Sequence, residues 1–363
     1  MVDAPELTSV TRIRTVRPLI AAWIFVFVIL GVGFIWLSLS PDAVPVANSE
    51  HSDDAPEDNP GLTITSHIPP NEAAEAEGAS EIPANIPQDM PQEGISLVAA
   101  PIDGLVMAGA HGPLPVLGPD SMMAWKEYAR PAKGADDRPK IAIIVTGIGL
   151  NSTSSDLAIK HLPGQIDLGF SPYGKKLQHW MNSAREYGHE GFLMIPTEPL
   201  KYPENDPGPH TLLTGASVRD NLKKMDWLLS QVTGYVGVIN DMGSKFTASE
   251  EDLMPILNDL NNRGLMLLDA RSTRFSAAAK LARQISMPRA YNNLYIDNIV
   301  NAAEIAKNLT TLENTARTYG AAIGVARAAP LTIREIESWT QGLEARGIQL
   351  VPITAIANRQ PIR

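Results

Sequence analysis

The 363-residue chain contains no cysteine. Disulfide bonds, cysteine-ligated zinc and a thiol nucleophile are therefore all excluded. Histidine is also scarce: the chain has seven, and no two of them are four residues apart. Because paired histidines on one face of a helix need that spacing, no helical metal site of this type is predicted.

Positive charge is missing from residues 41–100, which contain 12 Asp and Glu and no Lys or Arg. The whole chain has a formal net charge of -10, so the remainder of the chain is close to neutral. Binding to nucleic acid requires clustered Lys and Arg that neutralise phosphates. The charge distribution therefore argues against a nucleic-acid partner.

The same acidic segment contains nine prolines and shows little apolar periodicity. A chain of this composition does not bury enough apolar surface to offset the entropy lost on ordering. We therefore predict an acidic, proline-rich disordered linker over residues 40–110. Apolar residues return in residues 111–137, which we interpret as an arm that packs on the domain that follows.

A long apolar run covers residues 19–39, which are 21 residues without a charge, Asn, Gln or Pro. A helix of that length is about 31 Å long, which matches a hydrocarbon core of roughly 30 Å. Arg12, Arg14 and Arg17 lie just before it. The positive-inside rule then places residues 1–18 in the cytoplasm and the chain after the helix on the other side of the membrane.

A cleaved signal peptide is the alternative interpretation of this run. The apolar region of a signal peptide is usually only about 7–15 residues long and ends in a small-x-small site, for which Ser38-Leu39-Ser40 is a weak match. We therefore expect a single-pass protein of the inner membrane, anchored through residues 19–39, with its globular domain in the periplasm.

From residue 138 to residue 358, short β-rich runs alternate with amphipathic stretches. Eight strands are predicted, at 141–145, 166–170, 191–195, 235–239, 265–269, 290–296, 321–325 and 349–353. Their starts are 25 to 31 residues apart, with one larger gap of 44. This spacing leaves room for a crossover helix between consecutive parallel strands. The pattern predicts an α/β fold, an irregular (β/α) barrel of seven to eight strands.

Helix boundaries are also marked in the sequence. The segments Ser249–Asp252 and Thr332–Glu335 resemble capping boxes at helix starts. Four glycines stand just before a predicted strand, at the position where a helix ends in a left-handed residue: Gly188, Gly264, Gly320 and Gly347.

Polar residues follow the carboxyl ends of the predicted strands, where a barrel of this kind builds its active site. They are Tyr173, Glu198, Asn240, Asp241, Asp269, Arg271, Asp297 and Arg327. Each one alone is typical of a helix cap or a loop. Charged residues directly after apolar strands are costly unless they are exposed or paired. As a set they therefore predict a polar cleft at one end of the barrel.

The gap of 44 residues inserts a long loop, Thr197 to Gly215, after the third predicted strand. The loop carries four prolines, three acidic residues and His210. A long loop on the catalytic face is typically functional. Of the four histidines in the domain, His210 is therefore the best candidate for chemistry, whereas His189 is predicted to be structural, at the opposite end of the barrel.

With these residues in view, the domain resembles the divergent polysaccharide deacetylase family, a remote branch of the NodB-like carbohydrate deacetylases. The similarity covers residues 138–356 and the arm segment HGPLPVLG. It is strongest in LGFSPYGKKLQHWMNSAREYGHE, PTEPLKYPENDPGPHTLL, TGYVGVINDMGSKFTAS and RGLMLLDARS. The resemblance implies a (β/α) barrel and a polysaccharide or peptidoglycan-like substrate in the cell envelope.

The resemblance also implies a particular chemistry. Deacetylases of the wider NodB-like group carry two aspartates after the first strand, one as base and one as metal ligand beside two histidines. Here Thr146-Gly147 stand at that place, and neither ionises or holds a divalent cation well. The remaining candidates are Glu198, His210 and Asp269, expected as catalytic residues and as ligands of a divalent metal such as zinc. Tyr173, Asn240, Asp241 and Arg271 are expected to bind substrate.

Two functions follow as expectations. One is an envelope-anchored carbohydrate deacetylase, a hydrolase of carbon–nitrogen bonds with an altered site. The other is a non-catalytic member that binds an envelope glycan or an envelope protein. Paired carboxylates would also suit glycoside hydrolysis. The distinguishing feature is whether Glu198, His210, Asp241 and Asp269 meet at one centre.

Overall fold

The computed structural model describes residues 95–132 and 137–361. These residues begin with a short hairpin, β1 (Val106–Ala108) and β2 (Pro113–Pro115), and a single helical turn, α1 (Ala124–Glu127). The predicted cytoplasmic segment 1–18, the predicted membrane helix 19–39 and residues 40–94 of the predicted linker lie outside the described residues. Within the described ranges, no helix combines the length and the apolar character needed to cross a bilayer.

The core of the domain is a curled sheet whose strands all pair in parallel. Its strands are β3 (Lys140–Ile148), β4 (Asp167–Phe170), β5 (Gly191–Thr197), β6 (Tyr235–Met242), β7 (Met266–Asp269), β8 (Arg289–Tyr291), β9 (Leu294–Tyr295), β10 (Ala321–Arg327) and β11 (Gln349–Leu350). The order is β8-β7-β6-β5-β4-β3-β10-β9, and β11 pairs with the start of β3. The parallel α/β architecture predicted from the strand spacing is therefore present.

The two edges of this sheet are formed by one continuous segment of chain. β8 pairs with β7, β9 pairs with β10, and only Asn292 and Asn293 lie between β8 and β9. The backbone N–H of Asn292 donates to the Asp269 carbonyl at 2.8 Å, and that of Asn293 donates to the Ile323 carbonyl at 2.9 Å. The sheet therefore curls until both edges meet this segment, and the predicted strand 290–296 is divided into two short strands.

Helices connect the strands on the outside of the sheet. They are α2 (Ser152–His161), α3 (Leu177–Glu186), α4 (Val218–Leu229), α5 (Glu250–Asn262), α6 (Ala278–Gln284), α7 (Ala302–Tyr319) and α8 (Pro330–Thr340). Because helices cover one face and barrel side chains fill the other, the central strands are buried on both faces. In β3, Ile141, Ile143 and Ile144 are fully buried, as parallel strands of this kind require.

The predicted helix boundaries are confirmed with two exceptions. Ser249 caps α5, where its side chain accepts a hydrogen bond from the Asp252 N–H, and Gly188, Gly264 and Gly320 stand at the ends of α3, α5 and α7 with positive φ. Gly347 also has positive φ, but it ends a turn, because α8 already ends at Thr340. The capping box predicted at Thr332–Glu335 is wrong. α8 already begins at Pro330, and the buried Thr332 hydroxyl instead donates to Asp297 at 3.2 Å. Proline at the first helical position starts the helix two residues earlier.

Residues 95–110 correct the predicted linker boundary, because they pack on the barrel. The Leu97 N–H donates to the Arg185 carbonyl at 2.8 Å, and Leu105 is 1% exposed. Farther along, Tyr128 is also buried, and its hydroxyl accepts from the Ile102 N–H at 2.9 Å. The sparse apolar residues of this stretch are thus enough to order it once a folded surface is present.

The amino-terminal end of the barrel, here called the base, holds a buried charged cluster. Asp167 and Glu190 are 0% exposed and Arg130 is 9% exposed. Glu190 Oε1 accepts from the Arg130 N–H and the Thr354 hydroxyl, and Asp167 Oδ2 accepts from the Ile353 N–H. The cluster therefore joins the arm, two strands and the C-terminal segment.

One oxygen of each carboxyl in the base, Asp167 Oδ1 and Glu190 Oε2, has no N–H or O–H donor among the described residues. A proton shared between the two carboxyls satisfies both oxygens. Burial, the charge of Glu190 and the hydrogen bond to it raise the pKa of Asp167 well above its usual value, and burial raises the pKa of Glu190. Both directions agree with a shared proton.

Candidate functional site

The carboxyl ends of the strands surround a cavity of about 320 Å³, here called the mouth, which is lined by both polar and apolar side chains. Its polar lining comes from the ends of β3, β6, β9 and β10 and from the loops after β7 and β9. The residues are Thr146, Asn240, Asp241, Ser272, Tyr295, Asp297, Asn298 and Arg327, with apolar Met194, Ile239, Met242, Ala270, Val325 and Ala326 between them. A cleft with polar groups is therefore present at the predicted end of the barrel, but more of its surface is apolar than polar.

Asp241 is the carboxyl most available for chemistry in the mouth. It is half-buried, and its side chain is hydrogen-bonded to the backbone N–H of Met242. Burial raises the pKa of Asp241, and the Met242 N–H lowers it by less. A carboxyl group in this setting can accept or donate a hydrogen bond toward a ligand.

Asn240 shapes the rim next to Asp241. Its side-chain oxygen accepts from the Ala270 N–H at 2.8 Å, and its amide donates to the Met242 carbonyl at 2.8 Å. The Ser272 hydroxyl donates to the same carbonyl at 2.6 Å. These bonds hold Met242 at a φ of 54°, a conformation that costs a residue with a β-carbon about 1 kcal/mol or more. Asn240, predicted to bind substrate, is thus occupied in positioning the rim.

The opposite wall of the mouth is built on an ion pair. Asp297 is 2% exposed, and its Oδ2 accepts from the Arg327 N–H at 3.1 Å and lies 3.5 Å from Arg327 Nε. The Arg327 side chain remains 60% exposed. Tyr295 adds a phenol whose pKa is raised, mainly by burial. The mouth therefore presents a carboxyl, a phenol and a guanidinium in one cavity.

Glu198 fastens the long loop after β5 and leaves no oxygen free. Its Oε2 accepts from the Thr214 N–H at 2.6 Å and hydroxyl at 2.7 Å, and its Oε1 contacts Lys245 Nζ at 2.7 Å. Burial raises the pKa of Glu198, but Lys245 and the Thr214 bonds outweigh it and hold the pKa below its usual value. These contacts stabilise both ends of the loop.

His210 lies in the long loop after β5, against α4. Its ring stacks on Trp227, with ring centroids 3.6 Å apart and planes 1° apart. Its backbone N–H donates to the Tyr173 hydroxyl at 3.0 Å, and that tyrosine also packs against Gly208. Burial lowers the pKa of His210, with smaller contributions from Lys224 and His111. Tyr173 and His210 therefore support each other within the loop, and neither lines the mouth.

Asp269 and Arg271 face a second cavity instead of the mouth. Asp269 is 1% exposed; its Oδ1 accepts from the Arg271 N–H and its Oδ2 from the Ser276 hydroxyl, each at 2.8 Å. Burial raises the pKa of Asp269. The guanidinium of Arg271 lies over the Tyr291 ring, 4.8 Å from its centroid.

The structure does not bring the predicted metal ligands Glu198, His210 and Asp269 to one centre. Across residues 95–132 and 137–361, no three His, Asp or Glu side chains are placed to hold a metal ion. At the position of the family's aspartate pair, the Thr146 hydroxyl donates to the Ala326 carbonyl at 2.9 Å. Gly147 has a φ of 92°, which a residue with a β-carbon rarely adopts. The residues present therefore do not fit the zinc site that the resemblance implies.

Three residues of these arrangements were not expected from the sequence. Tyr295 lies within a predicted strand, so its place at the mouth depends on the strand break before it. Trp227 stands at a position of its amphipathic helix that is typical of core residues, yet its ring stacks on that of His210. Lys245 is 47 residues from its partner Glu198. Only the polar character of the loop after β6 could have indicated Lys245.

The fold and the mouth together define a parallel-strand α/β protein with a polar site at the carboxyl ends of its strands. Residues 143–357 match the model of the family described as divergent polysaccharide deacetylase. Because the match covers more than half of the chain, the chain belongs to that family, as its sequence resemblance predicted.

Relatives of this chain share the domain. The crystal structure of an uncharacterized protein from Agrobacterium tumefaciens C58 is 40% identical with a TM-score of 0.66, covering 68% of this chain and 99% of that one. An uncharacterized protein of Haemophilus influenzae Rd is 24% identical over 213 residues, 58% of this chain and 74% of the relative. YibQ from Escherichia coli K12 is 21% identical over 224 residues, 61% and 69% respectively.

Proposed function

We propose that the domain binds a carbohydrate of the cell envelope in the mouth, with Asp241 as the principal contact. The observation that carries this proposal is the set of groups that face the cavity. Asp241, Tyr295 and Arg327 line it together, whereas Glu198, His210 and Asp269 are directed elsewhere. Family membership supports the carbohydrate, because it is a polysaccharide deacetylase family.

The chemistry of the mouth suits sugar hydroxyls. A hydroxyl both donates and accepts, and the cavity offers an acceptor or donor at Asp241, a phenol at Tyr295 and donors at Arg327. The volume of about 320 Å³ lies at the lower end of the range for ligand pockets, roughly 300–1,000 Å³. We therefore expect it to hold one or two sugar residues of a longer chain.

A hydrolytic reaction at the same cavity is the second candidate. General acid–base catalysis is most effective when the pKa of the group lies near the working pH, and burial shifts the pKa of Asp241 in that direction. In this version Asp241 takes a proton from water as the water adds to the carbonyl of an N-acetyl group. It then returns that proton to the sugar nitrogen as the C–N bond breaks, so that acetate and the free amine leave. No step is assigned to a metal, because the residues present do not supply its ligands.

The envelope location is part of the proposal and is supported by the sequence. The apolar run 19–39, preceded by arginines and followed by an acidic segment without Lys or Arg, fits a single membrane anchor. The barrel would then be displayed on the periplasmic side, where envelope glycans and envelope proteins are its neighbours. Fusion of a periplasm-dependent reporter after residue 363 tests this topology; activity of a cytoplasm-dependent reporter instead would contradict it.

Calorimetric titration of the full-length protein with N-acetylglucosamine oligosaccharides tests the binding proposal. Wild type should bind, and Asp241→Asn should bind at least about tenfold more weakly, since hydrogen bonds to charged groups contribute about 1.5–3 kcal/mol. Glu204→Gln, an exposed acid in the long loop, is the matched control and should bind as wild type. No binding by wild type, or equal weakening in the control, would reject Asp241 as the contact.

The same oligosaccharides distinguish binding from hydrolysis. Acetate release by wild type that is lost in Asp241→Asn would favour the hydrolytic candidate. Unchanged oligosaccharide recovered after prolonged incubation, together with tight binding, would favour the non-catalytic one. Metal analysis of the purified protein is made in parallel, and stoichiometric zinc retained by wild type would contradict the ligand geometry described above.

A further inference from the structure

A second cavity, here called the seam cavity, lies where the two edges of the sheet meet. Its volume is about 290 Å³, and none of its lining residues lines the mouth. The residues are Asp269, Arg271, Ser276, Ala279, Lys280, Tyr291, Asn293, Tyr319, Ala321 and Pro361. The loop after β7 separates the two cavities: Ala270 and Ser272 line the mouth, and Asp269 and Arg271 line the seam cavity.

The backbone of this loop is held so that Arg271 faces the seam cavity. Arg271 has a φ of 48°, a sparsely populated conformation for a residue with a β-carbon. Its N–H donates to Asp269 Oδ1 at 2.8 Å, and Ser276 holds the other oxygen of Asp269 at 2.8 Å. The buried carboxyl of Asp269 thus fixes the strained turn, and Asp269 does not line the mouth.

The guanidinium of Arg271 contacts an aromatic ring and attracts the Asp269 carboxyl without a direct side-chain bond to it. It lies 4.8 Å from the centroid of the Tyr291 ring, and the Tyr291 hydroxyl donates to the Pro361 carbonyl at 2.6 Å. Within residues 95–132 and 137–361, the guanidinium makes no hydrogen bond and no ion pair within 4 Å, although its charge offsets part of the rise that burial causes in the pKa of Asp269. The contact with the ring therefore restrains the guanidinium while its N–H donors remain available to a ligand.

Other groups around the cavity favour an anion. Lys280 supplies a second cation, and its pair with Glu250, at 2.8 Å, joins two side chains that are both more than half exposed. Such a pair contributes little and competes weakly with a ligand. The carboxyl that lines the cavity, Asp269, already accepts two hydrogen bonds and is buried. Tyr319, 49% exposed, offers an aromatic surface beside the two cations.

We propose that the seam cavity is a binding site for the carboxylate of an acidic sugar residue, recognised by Arg271 with Lys280 beside it. A guanidinium pairs with a carboxylate through two parallel hydrogen bonds, and Tyr319 provides a surface for the sugar ring. The small volume admits one sugar residue. The choice of a sugar as the carrier of the carboxylate rests on the proposed carbohydrate function.

Titration of the full-length protein with oligogalacturonate tests this site. Wild type should bind, and Arg271→Ala should bind at least about tenfold more weakly, because a charge-assisted pair is lost. Arg274→Ala is the matched control, since this arginine stands in the same loop, packs on Phe275 and lines neither cavity. It should bind as wild type. Absence of binding by wild type, or equal loss in both variants, would overturn the proposal.

Two further arms separate this site from simpler explanations and from the mouth. Inorganic phosphate should compete only weakly; competition as strong as that of the oligosaccharide would show a general anion site and overturn the sugar assignment. Asp241→Asn should leave oligogalacturonate binding unchanged even where it abolishes binding of neutral oligosaccharides. Loss of both in Asp241→Asn would place the acidic sugar in the mouth and reject the seam cavity as its site.

Discussion

The two ends of the barrel use charged residues in opposite ways. At the base, Asp167, Glu190 and Arg185 are all at most 2% exposed and hydrogen-bonded to segments far apart in the chain. At the mouth, Asp241 is half-buried and Arg327 is largely exposed, although Asp297, the partner of Arg327, is only 2% exposed. In barrels of this type the base supports stability and the mouth supports function. Whether a charged side chain is structural or functional is therefore indicated better by how many of its polar atoms are hydrogen-bonded than by its residue type.

The largest expected effect is at the base. Arg185→Ala removes a guanidinium that donates to the carbonyls of Val98, Tyr128 and Gly234. Because buried acceptors lose their donor, the free energy of unfolding should fall by about 3–5 kcal/mol. Urea denaturation measures it, with exposed Glu186→Ala as the control that should change it by less than about 0.5 kcal/mol. If Arg185→Ala and Glu186→Ala had similar free energies of unfolding, the stabilising role of buried charges at the base would be contradicted.

Glu198 tests the comparison between the two ends of the barrel. It follows the carboxyl end of β5, yet hydrogen bonds and an ion pair occupy its carboxylate as they do at the amino-terminal end. Glu198→Ala leaves the Thr214 N–H and Lys245 without their acceptor, so the free energy of unfolding should fall by about 2–3 kcal/mol. Lys245→Ala, whose side chain is 48% exposed, should cost less. Metal content should be the same in wild type and both variants. A loss of bound metal in Glu198→Ala without destabilisation would restore its predicted role as a ligand.

The shared proton of the base gives a pH dependence. The pKa of Asp167 is raised in the folded chain, so its stabilising contribution is complete below the unfolded pKa, about 4, and is lost as pH rises toward the folded pKa. The slope for one proton is at most about 1.4 kcal/mol per pH unit. Asp167→Asn mimics the protonated carboxyl, so its free energy of unfolding should depend less on pH. Parallel curves for wild type and variant would exclude the shared proton.

The smallest expected effect on stability is at the mouth. Asp241→Asn replaces a carboxyl whose pKa is raised by burial with a neutral amide. The Met242 N–H keeps an oxygen acceptor in the variant. The free energy of unfolding should therefore change by less than about 0.5 kcal/mol, even though glycan binding weakens. Urea denaturation beside the titration checks this combination. A destabilised Asp241→Asn variant would make Asp241 another structural carboxyl.

Much of the fold was predictable, because burial leaves a periodic record in the sequence. The apolar runs of β3 to β7 and β10, the long loop after β5 and three of the four glycines at helix ends were found where the patterns placed them. The break at Asn292 and Asn293 was not, since it depends on pairing with two different strands. His189 also followed its prediction: it is fully buried, and its ring nitrogens lie 2.7 and 2.9 Å from the carbonyls of Ile166 and Ile159.

The candidate site was predictable only in part. The position of the mouth follows from strand polarity, so Asn240 and Asp241 were placed correctly near it. The ion pair of Glu198 with Lys245 and the stacking of His210 on Trp227 depend on tertiary contacts between loops and a helix. Asp269 and Arg271 line the seam cavity while Ala270 and Ser272 line the mouth, and Arg271 is the residue of this stretch with a left-handed φ. A sequence pattern shows which residues follow a strand, but not which of them remain available to a ligand.

The central claim is that the mouth around Asp241 is the carbohydrate site. A crystal structure of the protein with an N-acetylglucosamine oligosaccharide tests it most directly. The claim predicts sugar density within hydrogen-bond distance of the Asp241 carboxyl, between Tyr295 and Arg327, and no contact with Glu198. Sugar bound instead against the His210 and Trp227 rings, with the mouth empty, would contradict it.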